Sequence, residues 1–177
     1  MLKEIYEQPA AVRKTIEGCL NSTGKISFQN FTIGLEEIRN LRKITIAASG
    51  SSRHAGMVGE FMLERMTGLP VEVDFASQYC YRDPLVGPNE LTIFISQSGT
   101  TIDTIAALHE VSRKKSKSLT ICNVPDTPLT RDANATLLTY AGDEVAIAAT
   151  KSFTTQLTAL FLLSDSRSGH CDSIEPP

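Results

Sequence analysis

The sequence predicts an α/β fold, a mostly parallel sheet with helices on both faces. Three observations lead there. Short apolar runs recur along the chain, each followed by a turn and then by an amphipathic stretch. The runs read as buried strands and the stretches between them as helices, the alternation that parallel sheets require. Three connections leaving strand carboxyl ends are rich in small polar residues, where sheets of this kind hold their ligands. With 177 residues, the chain fits one domain with a short arm at each end.

Met1 to Leu20 is amphipathic, with Leu2, Ile5, Val12 and Ile16 as apolar positions, and predicts a helix interrupted or restarted at Pro9. Phe28 to Phe31 and Ile33 to Ile38 form a second peripheral element. Lys43 to Ala48 reads as the first buried strand and ends in Ser49-Gly50-Ser51-Ser52. His54 to Met66 has helical spacing and is stopped by Gly68 and Pro70. Val71 to Phe75 alternates, a second strand with one less buried face; Asp83-Pro84 and Gly87-Pro88 punctuate the link after it. Leu91 to Ile95 is the third strand, and Ile102 to Ser112 a helix with Ile105, Ala106, Leu108 and Val111 on one side. Ser118 to Cys122 is the fourth strand, Asp126 to Leu129 opens a short helical turn, and Thr136 to Tyr140 is the fifth strand. Thr150 to Leu163 is a strongly apolar helix. Ser164 to Pro177 has little to bury beyond Cys171 and Ile174. The expected division is a helical arm over 1–40, a ligand-binding domain over 41–163 and a disordered tail over 164–177.

Composition narrows the function classes. Hydrophobic residues make up 41% and charged residues 21%, and the formal net charge is −3. That balance argues against nucleic acid, whose phosphate backbone calls for clustered Lys and Arg. The one basic cluster, Arg113 to Lys117, falls where a helix ends and suits its dipole. The four cysteines form no CxxC pair and no zinc-ligand spacing with a histidine, and Cys122 lies in a strand pattern. No apolar run reaches the length of a membrane span, and the first residues carry no apolar signal core. The expectation is a cytoplasmic protein with reduced thiols that needs no metal and no cofactor.

Chemistry concentrates in the loops. Ser96-Gln97-Ser98-Gly99-Thr100-Thr101 follows a buried strand and opens a helix. The first turn of that helix leaves backbone N–H groups unsatisfied, and its dipole favours an anion. Ser96, Ser98 and Thr101 add hydroxyl donors, Gln97 adds an amide donor, and Gly99 lets the backbone approach closely. Such a loop grips a phosphate monoester without a full positive charge. It is not a P-loop, since no Gly-Lys-Ser/Thr follows. The plainer alternative is a hydroxyl-rich N-cap. Ser49 to Ser52 is the same kind of loop after the first strand, followed by Arg53 and His54. In the connection from Gly142 to Thr150, Asp143 and Glu144 are adjacent carboxylates, either solvated or available for acid/base work. Lys151 at a helix start opposes the dipole and points to an anionic partner nearby.

The loop from Ser96 to Thr101 fits the Ser-x-Ser-Gly-x-Thr signature of the sugar isomerase (SIS) domain family, which this sequence resembles. Within it, MLKEIYEQP at Met1 to Pro9, SQSGTTIDT at Ser96 to Thr104, ICNV at Ile121 to Val124 and ATKSFTTQLTAL at Ala149 to Leu160 are similar to the isomerase halves of the glucosamine-6-phosphate synthase family. The resemblance spans residues 1 to 163. It implies a five-stranded parallel sheet in a three-layer αβα sandwich, flavodoxin-like. It implies that Ser96, Gln97, Ser98 and Thr101 bind the phosphate of a sugar phosphate such as fructose 6-phosphate or an amino-hexose 6-phosphate. Ser51 and Ser52 would contact the sugar, and the backbone from Ile147 to Ala149 would line the site. Thr100 stands where those synthases usually have Glu, Ala149 where they often have Ser, and Ser49 where they have Cys.

The resemblance also implies what the chain lacks. The synthases carry a glutaminase domain and two SIS domains, and their catalytic Glu, His and Lys come from beyond the first. The chain is therefore expected to hold no catalytic residue and to be inactive alone, with a homodimer partner or a second SIS domain completing it. A phosphosugar-sensing module without catalysis is a second reading, and a deglycase or deaminase of amino-sugar phosphates a third.

Overall fold

A computed structural model describes residues 1–165 of the chain. The expected tail lies outside the described residues except at its start, where the last helix continues to Asp165, past the expected boundary at Ser164.

The sheet has five strands, all parallel: β1 (Lys43–Ala48), β2 (Val71–Phe75), β3 (Glu90–Ser96), β4 (Lys117–Cys122) and β5 (Ala135–Leu138). Their spatial order is β2-β1-β3-β4-β5. Successive side chains on each strand serve opposite faces. Ile44, Ile46 and Ala48 of β1 and Ile93 and Ile95 of β3 point into one core, while Ala47 and Phe94 point into the other. The first core is closed by α1 (Leu2–Cys19), α3 (Gly50–Thr67) and α7 (Lys151–Asp165), the second by α4 (Ala76–Tyr81), α5 (Ile102–Arg113) and α6 (Pro128–Asp132). The architecture is thus the three-layer αβα sandwich that was expected. A small helix, α2 (Leu35–Arg39), buries Ile38 against the first core.

This arrangement positions the site. The connection from β1 runs through α3 on one face, and that from β3 through α5 on the other. β1 and β3 are neighbours, so their outgoing loops diverge and leave a crevice at the carboxyl end of the sheet.

Two local readings change. The first helix is continuous through Pro9, where an interruption was expected. Proline cannot donate to the carbonyl four residues back, that of Ile5. The Gln8 side-chain amide donates to this carbonyl instead, at 3.1 Å. The helix α4 fills a stretch with no recognised signal; its N-cap, Phe75, has no side-chain cap. The apolar surface of α7 is mostly spent inside the chain: Ala159, Leu160 and Leu163 belong to the first core, and Phe161 is its exposed large apolar residue. The edge strand β5 is shielded by Gln29, whose backbone exchanges two hydrogen bonds with Thr136.

Candidate functional site at the carboxyl end of the sheet

The two loops at the crevice share a construction. Gly50 and Gly99 both have positive φ, 56° and 66°, and each stands at the turn from strand to helix. The N-cap residues Ser49 of α3 and Thr101 of α5 make no side-chain cap hydrogen bond. The capping alternative therefore does not account for their hydroxyls. Ser96 Oγ accepts from the Gly99 N–H at 3.1 Å and pairs with Thr101 Oγ1 at 3.1 Å. Ser98 Oγ accepts from the Thr100 N–H and hydroxyl, at 3.3 and 3.1 Å. That leaves the Ser98 proton free to donate. Ser96 is buried, while Gln97, Ser98 and Thr101 are half-buried at the opening. By helix geometry the first N–H groups of α5, from Ile102 to Thr104, have no intrahelical acceptor.

The loop rests on a floor made by the next connection. Asn123 N–H donates to the Gln97 carbonyl at 3.2 Å, and Leu129 N–H to the Gly99 carbonyl at 3.4 Å. Thr127 and Cys122 lie directly beneath Gly99. Burial pushes the Cys122 thiol above its ordinary value, so this cysteine is a core residue without nucleophilic character.

Ser51 is exposed on the first turn of α3, and Ser52 is buried. Ser52 Oγ accepts from Gln156 Nε2 of α7 at 3.0 Å. Its own proton therefore remains available. Gln156 was not recognised in the sequence; it lies on the apolar helix, 104 residues away.

The third loop connects β5 to α7 and is held by carboxylates. Glu144 was a candidate for acid/base work, but its side chain accepts from the Thr150 N–H at 2.9 Å, the Thr150 hydroxyl at 3.2 Å, the Ser152 N–H at 3.3 Å and the Ser152 hydroxyl. Burial raises the Glu144 pKa, but these hydrogen bonds outweigh it and hold the carboxyl below its ordinary value. Glu144 is the cap of α7. Glu4 reaches the same loop from α1, accepting from Val145 N–H at 2.7 Å and Ala146 N–H at 3.2 Å. The Val145 bond, with help from the Met1 amino group and the Ala146 bond, outweighs burial and holds the Glu4 carboxyl down at about 2. Lys151 has the anionic partner its position called for: its buried Nζ lies 2.7 Å from Glu7 Oε2. Asp143 is exposed. Between these anchors the Ile147 side chain is fully exposed and Ala149 is half-buried.

Both carboxyls are lowered in the folded state, so each adds stability above the unfolded value near 4.5 and loses it as pH falls toward the folded value. Amide exchange at Val145, Ala146, Thr150 and Ser152, corrected for intrinsic rates, is expected to accelerate as pH falls below 4.5 while the sheet stays protected. Glu144→Gln is expected to reproduce the change at Thr150 and Ser152 at pH 7 and to cost about 1–2 kcal/mol of stability, the scale of a lost cap. An exchange profile for that loop that ignores both pH and the substitution would refute this account.

Among the described residues no group of three or more His, Cys, Asp or Glu could hold a metal ion, and no helix is long and apolar enough to cross a membrane. His109 pairs with Asp132 on the surface, at 3.0 Å. Cys171 and His170 lie outside the described residues.

A parallel five-stranded αβα sandwich with hydroxyl-rich loops at its switch point is the architecture of the SIS domain, and residues 37–164 match that family; the chain belongs to it. Glutamine–fructose-6-phosphate aminotransferase (isomerizing) from Caldanaerobacter subterraneus subsp. tengcongensis is 47% identical over 164 residues, 93% of this chain and 27% of that protein. The same enzyme from Symbiobacterium thermophilum is 45% identical over 165 residues, with the same coverage, 93% and 27%. The C-terminal domain of glucosamine-fructose-6-phosphate aminotransferase from Francisella tularensis superposes with a TM-score of 0.87 at 38% identity, over 98% of this chain and 49% of that one. The chain spans about a quarter of the length of the curated relatives it matches.

Proposed function

We propose that the chain binds a phosphorylated hexose, fructose 6-phosphate or an amino-hexose 6-phosphate, as the first SIS domain of an isomerase/aminotransferase of the glucosamine-6-phosphate synthase kind. One observation carries the reading: the hydroxyls of Ser98 and Thr101 stand at the start of α5 without capping it, beside unsatisfied N–H groups. On this reading Ser96, Gln97, Ser98 and Thr101 take the phosphate. Ser51 and Ser52 meet the sugar, Ser52 with its proton kept free by Gln156. The backbone from Ile147 to Ala149 forms the opposite wall. Residues 41–163 act as the binding unit and residues 1–40 as an arm that steadies the wall through Glu4.

The same geometry supports a division of labour. Moving a proton between sugar carbons needs a positioned base. Near the loops, Glu144 is committed to α7 and Lys151 to Glu7. The base and the ammonia source then come from outside these residues, as does the partner, a second SIS domain or second copy. Exposed Met57 and Phe61 of α3 and Phe161 of α7 supply apolar surface for that contact.

Calorimetric titration tests the binding step. Glucosamine 6-phosphate and fructose 6-phosphate are expected to bind, and glucosamine and fructose to bind at least about tenfold more weakly, the scale of one or two charge-assisted hydrogen bonds. Equal affinity for the free and phosphorylated sugars would overturn the reading.

A further inference from the structure

We propose that Asn123 is the positioning residue that keeps the sugar-facing loop in register with the phosphate loop, so that selectivity for a phosphorylated sugar over phosphate alone runs through its side chain. The inference rests on the reading above, in which the loop from Ser96 to Thr101 takes the phosphate and the connection after β5 faces the sugar.

Asn123 follows the last residue of β4 and reaches both loops. Its backbone N–H donates to the Gln97 carbonyl at 3.2 Å, in the middle of the phosphate loop. Its side chain turns to the other connection. Oδ1 accepts from the Ala141 N–H at 2.7 Å and from the Thr139 hydroxyl at 3.2 Å. Nδ2 donates to the Gly142 carbonyl at 2.9 Å. The ladder between β4 and β5 ends at the pair Cys122 and Leu138, with one further bond from Thr139 N–H to the Cys122 carbonyl at 2.9 Å. Beyond it the Asn123 amide takes the place of a neighbouring peptide, offering one acceptor and one donor to consecutive residues. An aspartate there would set a charge against the Gly142 carbonyl, and an alanine would satisfy neither group.

The loop that follows has two other anchors, Glu4 at Val145 and Ala146 and Glu144 at Thr150 and Ser152. Both tie it to helices on the face of the first core. Asn123 ties it to the phosphate loop. A shift of either loop is therefore passed to the other through one half-buried residue.

The test compares wild type, Asn123→Ala and Asn123→Asp by calorimetric titration with glucosamine 6-phosphate and, separately, with inorganic phosphate. Amide exchange at Ala141 is followed in the unliganded proteins. In Asn123→Ala, affinity for the sugar phosphate is expected to fall on the order of tenfold or more, affinity for inorganic phosphate to change less than about twofold, and Ala141 to lose protection. Asn123→Asp keeps the volume and the Oδ1 acceptor, so it keeps Ala141 protected and loses part of the selectivity; it carries the test if the alanine variant does not fold. A selectivity ratio equal to wild type in the folded variants, or an equal loss for both ligands, would overturn the coupling while leaving the phosphate site intact. A wild-type protein that binds neither ligand would instead overturn the functional reading, and this inference with it.

Discussion

Gly99→Ala is expected to lower the affinity for a hexose 6-phosphate by a hundredfold or more, on the order of two lost charge-assisted hydrogen bonds, and to destabilise the fold as well. The residue has φ of 66°, and a Cβ there would stand 2.1 Å from Thr127 Oγ1, 2.7 Å from Thr127 Cβ and 2.9 Å from Cys122 Sγ. The left-handed conformation alone costs an L-residue roughly 1–2 kcal/mol. Overpacking adds roughly 1–3 kcal/mol, because the neighbours are fixed. Thr127 is 6% exposed, its N–H donates to Thr130 Oγ1 at 2.9 Å, and its hydroxyl accepts from the Thr130 N–H at 3.4 Å. It cannot step aside without dismantling the start of α6. The loop from Ser96 to Thr101 moves instead, and on the reading proposed above the donors at the start of α5 lose their common focus. Pairing the change with Thr127→Ala removes the contact with the hydroxyl but neither the 2.7 Å approach of Cβ nor the strained φ, so recovery should be partial. Thermal melts and titrations on the three proteins settle the matter; wild-type affinity in Gly99→Ala would show that the loop does not hold the phosphate.

The double substitution Ser98→Ala with Thr101→Ala separates binding from stability. If the two hydroxyls meet a phosphate, each contributes ~1.5–3 kcal/mol of binding, and losing both weakens a hexose 6-phosphate by roughly 10² to 10⁴-fold. Stability should change little, since Thr101 makes no cap bond to α5 and both side chains bond only within their own loop, Thr101 to Ser96 and Ser98 to Thr100. A pure capping role makes the opposite forecast: about 1 kcal/mol of stability lost and no effect on any ligand. Measuring the affinity and the unfolding midpoint of the same preparation decides between them. An unaltered affinity with a lowered midpoint would restore the capping interpretation.

Where a feature is set by contiguous residues, the sequence revealed it. Four strands are apolar runs and β2 alternates, each bounded by turn signals, whereas their order in the sheet is seen only in the structure. The loop from Ser96 to Thr101 is a strand end, a turn and a helix start in one stretch, so its place and its hydroxyl-rich character were readable from contiguous residues. Lys151 was visible as a charge at the wrong end of a helix, although its partner Glu7 was not. The hidden features depend on distant contacts. Glu4 and Val145 are 141 residues apart, and Gln156 and Ser52 are 104 apart. No local pattern distinguishes these side chains from a solvated carboxylate or a polar residue on an apolar helix. Glu144 was misjudged for a related reason: it caps a helix that begins seven residues later, too far for the usual spacing of a capping box. The first helix runs unbroken through Pro9, and the Gln8 amide that meets the freed Ile5 carbonyl is a side-chain detail that no sequence pattern carries.

The grip of Glu4 on Val145 and Ala146 has a consequence for the order in which the domain folds. Glu4 and Val145 are 141 residues apart, with all five strands between them. The loop from Ser96 to Thr101, with its strand and its floor, can be assembled from residues up to Thr130. The connection after β5 is not fixed until α7 has formed and α1 has docked on it. Closing a contact over such a span is a late and slow event in folding. On the reading proposed above, the folding chain acquires a place for the phosphate well before it acquires a place for the sugar. A ligand could then favour completion of the fold only once α1 and α7 have docked, through mass action on the docked form.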